Sequence, residues 1–394
     1  MGKRIVFVCS NRSWGGSEEL WSATAVSLAE AGHTITVFKP GLSRTLPRLQ
    51  HLHHLGATLH DLGRLPLVPH AVHEFFGRLS YSAMFAQQLA RLRLALARTP
   101  ADLVVISQGV NHDAFRMASI CRRMKLPYVL IIQKATELYW PADWQLERLR
   151  QIFSDALACY FVSEHNRKLT EEQLGMALPN AAIVRNPFLV PYDGREDWPA
   201  DGDGLRLACV GRIYPMEKGQ DLLLRVLARE HWRRRPLHLS FFGHGINDEG
   251  MKAMAKYYRL TNVSFHGFDD DVASIWRDHH GLLLGSRAEG LPLVLVEAML
   301  CGRVPIVTAV AGNREVVDDN ETGFLAAAPT EDAIDEALER AWQRRDEWQA
   351  IGARAAERIR TLVPRDPAAV FAGMLLELAA GRTDTNVCPT LIEA

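Results

Sequence analysis

Two glutamates, Glu289 and Glu297, stand eight positions apart in a run that begins Ser286-Arg287-Ala288-Glu289-Gly290-Leu291-Pro292 and continues to Val307. The run follows an apolar stretch, Gly281–Leu284, that reads as a strand, and Leu293–Leu300 reads as the helix after it. A turn at Gly290 lets the backbone approach a ligand, and the N–H groups at the start of the next helix suit a phosphate. Glu289 then stands at the strand end. Glu297, a turn or more into the helix, can accept hydrogen bonds from paired hydroxyls such as those of a ribose. Either glutamate alone is equally well explained by the helix dipole; the combination is what carries chemistry.

A second group, Gly211-Arg212-Ile213-Tyr214-Pro215-Met216-Glu217-Lys218-Gly219, follows another predicted strand and precedes a helix. Its glycines bracket a loop that brings Arg212 near Lys218. Two fixed cations beside a diphosphate hold it and stabilise the charge that grows as it leaves. A third group, Ser13-Trp14-Gly15-Gly16-Ser17-Glu18-Glu19-Leu20, places adjacent glycines at the start of the first predicted helix. It lacks G-x-G-x-x-G, which argues against a nicotinamide dehydrogenase.

The elements that must position these residues alternate. Strand patterns at Arg4–Cys9, 34–38, 103–107, Tyr128–Ile132 and 158–163 are interspersed with helical ones at 17–31 and 73–98, the latter with Phe76, Leu79, Met84, Leu89, Leu92 and Leu96 on one period. A Gly-, Pro- and Asp-rich stretch, 191–204, lacks either period and reads as a linker. Alternation resumes with strands at Leu205–Val210, Leu237–Phe242, 263–266, Gly281–Leu284 and 304–307, and helices at 219–229, 249–259, 272–277 and Leu293–Leu300. Helical patterns at 331–361 and 368–380 complete the chain. The expected fold is α/β: two Rossmann-like parallel-sheet domains, 1–190 and 205–363, facing each other across a cleft. The final helix, at about 366–380, returns to the first domain.

Bulk properties set limits. The chain has 394 residues, 48% hydrophobic and 23% charged, ordinary for a globular protein of two domains. No apolar run is long enough to cross a bilayer, and the N-terminal apolar run is too short for a signal peptide. Six cysteines, Cys9, Cys121, Cys159, Cys209, Cys301 and Cys388, show no metal or disulfide spacing, which fits a reducing cytoplasm. His51, His53 and His54 do not form a metal site. Residues 1–190 carry 21 Lys and Arg against 14 Asp and Glu, and the remainder 24 against 32, so a net charge of −1 conceals halves of about +7 and −8. A basic half suits an anionic membrane surface or a phosphate-bearing acceptor; solvated helix arginines give the same excess. No nucleic-acid partner is expected.

Gly-Gly-x-Glu near the start, Gly-Arg-x5-Lys-Gly, and Glu-x7-Glu followed by Ala-Met-x-x-Gly-x-Pro-Ile-Val resemble family 4 of the retaining glycosyltransferases, of GT-B fold. That resemblance implies transfer of a sugar from a nucleotide diphosphate donor, UDP or GDP, to a glycan or lipid-linked acceptor, with no metal or other cofactor, and a role in polysaccharide or glycoconjugate assembly. It implies that Arg212 and Lys218 contact the diphosphate and Glu297 the ribose. Glu289 with Gly290, Leu291 and Pro292 then meets the transferred sugar and phosphate, and Gly15 and Gly16 approach the phosphate from the first domain. Gly243, in Phe241-Phe242-Gly243-His244-Gly245, and His266 and Gly267, in Phe265-His266-Gly267-Phe268, resemble further donor-binding segments, the second near the base. Many relatives carry a histidine after a first-domain strand; His112 is the candidate here, with Gln133, Lys134 and Glu137 beside it. An epimerase or phosphorylase of the same architecture, or a non-catalytic nucleotide-sugar-binding subunit, is the alternative.

Overall fold

The computed structural model describes residues 2–63, 77–194, 197–200 and 204–381, with backbone alone for 77–84. Among the described residues two compact units emerge: one of residues 2–162, 166–187 and 366–381, the other of 163–165 and 188–365.

The first unit is built on seven strands, β1 (Arg4–Cys9), β2 (Thr34–Lys39), β3 (Thr58–Asp61), β4 (Leu103–Gln108), β5 (Tyr128–Ile132), β6 (Cys159–Phe161) and β7 (Ala181–Ile183). They run parallel in the order β3-β2-β1-β4-β5-β6-β7, so the order reverses between β1 and β4. Both faces are covered, which is why these strands read as unbroken apolar runs. Ile5, Phe7, Val105 and Ile131 pack on one side with Trp21 and Phe371. Val6, Val8, Val104, Ile106 and Leu130 pack on the other with Leu92, Leu96 and Phe153. The Pro367–Ala379 helix belongs to this unit. Asp366 caps it through Ala369 N at 2.9 Å, Phe371 meets Tyr160 edge-on at 4.9 Å, and Lys3 Nζ reaches the Ala379 carbonyl at 2.9 Å. A cation there satisfies an end carbonyl and complements the helix dipole.

The second unit holds β8 (Leu205–Val210), β9 (Leu237–Phe242), β10 (Val263–Gly267), β11 (Gly281–Leu284), β12 (Val304–Thr308) and β13 (Phe324–Ala326), parallel in the order β10-β9-β8-β11-β12-β13. Its reversal falls between β8 and β11. The described part of the 191–204 stretch is fastened to this unit. Tyr192 Oη donates to Arg360 O at 2.9 Å, and the buried Arg303 donates to Asp197 O at 2.6 Å with its guanidinium over Trp198.

Several bounds differ from the pattern. The 73–98 helix spans Gly77–Leu96; Phe76 and the side chains of Leu79 and Met84 lie outside the described residues, while Leu92 and Leu96 are buried. The 331–361 stretch is two helices, Glu331–Gln343 and Trp348–Leu362, separated by a 3-10 turn at Arg345–Glu347. Pattern analysis does not anticipate the helices Phe115–Arg123, Asp143–Asp155 and Glu164–Leu174 or the short strands β3, β7 and β13. Among the described residues no helix is long and apolar enough to cross a membrane, and the five described cysteines are buried free thiols.

One buried group makes the second unit sensitive to acid. His280, next to β11, accepts the Arg206 amide on Nδ1 at 3.0 Å and stacks edge-on to Trp198. Burial, aided by the Arg206 charge, pulls its pKa down to about 4. The unfolded chain, titrating near 6.5, therefore takes up the proton first, so stability is full above about 6.5 and is lost as pH falls toward 4. Between pH 7 and pH 5 the expected loss from this residue is roughly 1–2 kcal/mol. Urea unfolding at the two pH values should show it, and His280→Asn, which keeps an acceptor for Arg206, should reduce the difference.

Candidate functional site

Ligands of open parallel sheets bind beyond the carboxyl ends of the strands where the order reverses. In the second unit that point lies between the loop after β8 and the loop after β11, and the sequence-predicted residues gather there. Lys218 Nζ donates to both oxygens of Glu289, at 2.7 and 2.8 Å, joining the two loops. Ser286 Oγ donates to Glu289 Oε1 at 2.7 Å. The Glu289 side chain is 6% exposed, against 24% for Lys218, so the carboxylate is fixed while the ammonium keeps an open side. Arg212 donates to Glu217 Oε2 at 2.9 Å with its guanidinium over Tyr214, and is 55% exposed. Arg212 and Lys218 therefore rest on different carboxylates.

The loops are joined through backbone as well. Arg287 N and Ala288 N both donate to Glu217 O, at 2.7 and 3.2 Å. The Arg287 guanidinium forks onto Asp221 at 2.7 and 2.9 Å and reaches Pro215 O at 2.6 Å. Burial opposes ionisation of Asp221, but the Arg287 hydrogen bonds and the Arg287 and Arg225 charges outweigh it and hold its carboxyl below the usual range. Gly219 sits at φ 64°, and a Cβ there would stand 1.8 Å from Gly285 O, so only glycine allows the two loops to touch. Gly243, at φ 124°, is equally constrained: its N–H donates to Gly267 O at 2.6 Å, and a Cβ would stand 2.1 Å from Gly211 O. The turns after β8, β9 and β10 thus lie side by side as nearly bare backbone. His266 is exposed, stacks on Phe242 at 4.8 Å and shares Ser264 Oγ with His238. Beneath the loops, burial pushes the Cys209 thiol up to about 12, which removes it as a nucleophile.

Pro292 caps the Leu293–Leu300 helix, and its carbonyl accepts Leu295 N at 3.1 Å. The Leu293 and Val294 amides ahead of Leu295 have no acceptor within the helix and suit an anion. Gly290 O accepts Gly312 N at 2.9 Å, which holds the turn, and Leu291 is buried. Glu297 is 3% exposed, and its Oε1 accepts the Leu189 amide at 2.9 Å. The sequence assigned no role to Ser286, Asp221, Arg287 or Leu189. Ser286 and Arg287 lie in the glutamate run itself, whereas no local signal marks Leu189 or Asp221.

In the first unit, Gly15 is extended with open space where a Cβ would stand, and Gly16–Glu18 form a 3-10 turn. The turn rests on a buried ion pair, Glu18 to Lys39 at 3.4 Å, each side chain 1% exposed. Trp21 Nε1 also donates to Glu18, at 2.8 Å, and Lys39 Nζ also donates to the carbonyls of Asn11, Arg12 and Ser13. Burial raises the Glu18 pKa in spite of the lysine.

His112 lies edge-on to Phe115 and borders, with Pro141 and Gln173, a cavity of about 10 Å³, room for one water at most. Burial lowers its pKa below the ordinary histidine value. Its neighbour Asp113, unassigned by sequence, receives Ser10 Oγ at 2.8 Å and the Gly109 and Val110 amides at 3.2 Å, and desolvation pushes it up to about 6. Gln133 accepts from Asn186 at 2.8 Å, Lys134 O accepts Asn111 N at 2.7 Å, and Glu137 is exposed. Among the described residues no group of three or more His, Cys, Asp or Glu could hold a metal ion.

The lysine half of the buried pair cannot be removed cheaply. Lys39→Met is expected to cost about 3–5 kcal/mol, because it leaves the buried Glu18 carboxyl without its counter-charge. Lys39→Met with Glu18→Gln should recover more than half of that loss in a double-mutant cycle of chemical unfolding.

Two family models match the chain. The glycosyl transferase 4-like domain covers residues 15–187, and glycosyl transferases group 1 covers 193–358. An uncharacterised glycosyltransferase of Haemophilus influenzae is 30% identical over 164 residues, 40% of this chain and 41% of that one. The GDP-mannose-dependent alpha-(1-6)-phosphatidylinositol monomannoside mannosyltransferase of Mycolicibacterium smegmatis is 30% identical over 215 residues, 48% of this chain and 54% of that one. The chain thus spans about half the length of these curated relatives. Anabaena HepE, solved in complex with UDP and glucose, superimposes with a TM-score of 0.72 at 17% identity over 96% of this chain and 99% of that one, a likeness of fold. With both models matched in succession and the two parallel sheets of a GT-B protein, this chain belongs to the group 1, family 4 type of glycosyltransferases.

Proposed function

We propose that the protein is a retaining hexosyltransferase that moves a sugar from a nucleoside diphosphate sugar, held by the second unit, to a glycan or lipid-linked acceptor recognised by the first. The observation that carries this reading is the Lys218–Glu289 pair at the β8–β11 reversal, beside the start of the Leu293–Leu300 helix. In its support, the Mycolicibacterium smegmatis relative is GDP-mannose-dependent and Anabaena HepE was solved with UDP and glucose.

The diphosphate takes Lys218 and the exposed Arg212 as counter-charges, with the helix amides behind it. Glu289, no longer engaged by Lys218, accepts hydroxyls of the sugar, and Glu297 accepts those of the ribose in place of the Leu189 amide. As the bond between the anomeric carbon and the phosphate oxygen breaks, Lys218 and Arg212 stabilise the leaving charge. The acceptor oxygen attacks from the same face, and its proton passes to the departing phosphate. This route requires no side-chain base and no metal. A role in polysaccharide or glycoconjugate assembly, in a reducing compartment and with peripheral membrane contact for a lipid-linked acceptor, belongs to the same proposal.

Thermal unfolding of the full chain with UDP, GDP, ADP and TDP sugars tests the donor site. One nucleotide should raise the midpoint, and Lys218→Ala and Glu297→Ala should each abolish the shift; a shift unchanged in both variants would overturn the assignment. Glu289→Gln should separate binding from transfer. With the competing carboxylate gone, it should hold the bare nucleoside diphosphate at least as tightly as the parent, while sugar transfer falls by about 10²–10³, the scale seen when a transition-state contact is lost. Parallel losses of binding and transfer would contradict the assigned role.

A further inference from the structure

Three aromatic side chains of the first unit, Tyr139, Trp140 and Trp144, are 44, 61 and 72% exposed. They occupy the segment that leaves the carboxyl end of β5 and enters the Asp143–Asp155 helix, at the sheet edge where ligands of parallel sheets bind. The segment is built, not loose. Asn111, in the left-handed conformation at φ 44°, donates through Nδ2 to Thr136 O at 3.1 Å, Tyr139 O at 3.3 Å and Gln173 Oε1 at 2.8 Å, and accepts Thr136 N at 3.0 Å. Pro141 is buried, and Ala142 N donates to Gln145 Oε1 at 3.2 Å. A rigid backbone presenting indole and phenol rings to solvent offers large contact area at little entropic cost.

Charge selects between occupants. The exposed charged residues along this segment and the first turns of its helix are Glu137, Asp143, Glu147 and Arg148, three carboxylates against one guanidinium. An anionic bilayer surface attracts clusters of Lys and Arg and is repelled by such a rim. A sugar chain is not: the C–H faces of its rings pack on the aromatic planes, and its hydroxyls donate to the carboxylates. We propose that Tyr139, Trp140 and Trp144 form the platform that holds the glycan portion of the acceptor, an uncharged oligosaccharide, rather than a membrane contact. The proposal rests on the glycosyltransferase reading above and names the substrate class on its acceptor side.

The test compares the full-length protein with the double variant Trp140→Ala, Trp144→Ala on a printed array of bacterial and plant oligosaccharides, and by sedimentation with phosphatidylglycerol–phosphatidylethanolamine vesicles. Both substitutions remove exposed side chains, so the variant should keep the parent's melting temperature and its nucleotide-induced shift. The parent is expected to bind one or more uncharged glycans, with apparent affinity at least tenfold weaker in the variant, and to sediment with the vesicles no more than the variant does. Three outcomes overturn the proposal: no printed glycan retained, equal retention by the variant, or vesicle binding by the parent that the variant loses. A preserved nucleotide shift in the same samples confines any such failure to the platform, whereas loss of that shift in the parent would instead strike the donor-site reading.

Discussion

The Lys218–Glu289 ion pair depends on two loops that are distant in sequence being brought within a hydrogen bond of each other, and most of the second unit's architecture serves that approach. β8 and β11 are neighbours at the reversal of strand order, so the loops leaving them diverge to opposite faces and expose a crevice. Gly219 lets the first loop lie against Gly285, Arg287 clamps Asp221 and Pro215, and Ser286 orients the carboxylate. A lysine 24% exposed and a carboxylate 6% exposed then form a site that is already paired yet open to a stronger anion. The pair is stable enough to fix both side chains and weak enough, with one side in water, to be exchanged for a diphosphate.

The first unit applies the same principle in a drier setting. Its glycine turn is held from beneath by Glu18 and Lys39, both within the protein, with Trp21 and three backbone carbonyls satisfying their remaining hydrogen bonds. Such a pair adds little net stability, because desolvation cancels most of the attraction, but it forbids alternative placements of the turn, since either partner alone would be an unpaired buried charge. The fourth residue of the Gly-Gly-x-Glu motif is therefore structural in its immediate role. It positions the backbone of Gly15 and Gly16.

How far the sequence could be read depended on the length and periodicity of each element. The bounds of β5, β8, β9 and β11 and of the Leu293–Leu300 helix follow from the residues alone, because buried parallel strands are uninterrupted apolar runs flanked by glycine or polar turns. The helices Phe115–Arg123 and Asp143–Asp155 are amphipathic but predominantly polar, so they lack the long apolar runs that mark the other elements, and three-residue strands such as β7 and β13 offer no period at all. The 331–361 stretch looked continuous because Arg345–Glu347 has ordinary helix-compatible composition.

The sequence by itself determined the class of fold and the identity of the residues at the second reversal, since Gly-Arg-x5-Lys-Gly and Glu-x7-Glu are local patterns whose spacing survives without coordinates. Tertiary structure decided the partners. Lys218 pairs with Glu289 and Arg212 with Glu217, His266 stacks on Phe242, and His112 lies edge-on to Phe115 beside a small cavity. It also brought forward Lys39, Ser286 and Asp221, and the exposed Trp140 and Trp144. Burial, desolvation and hydrogen-bond partnership are properties of residues remote in the chain meeting in space, and no local spacing encodes them.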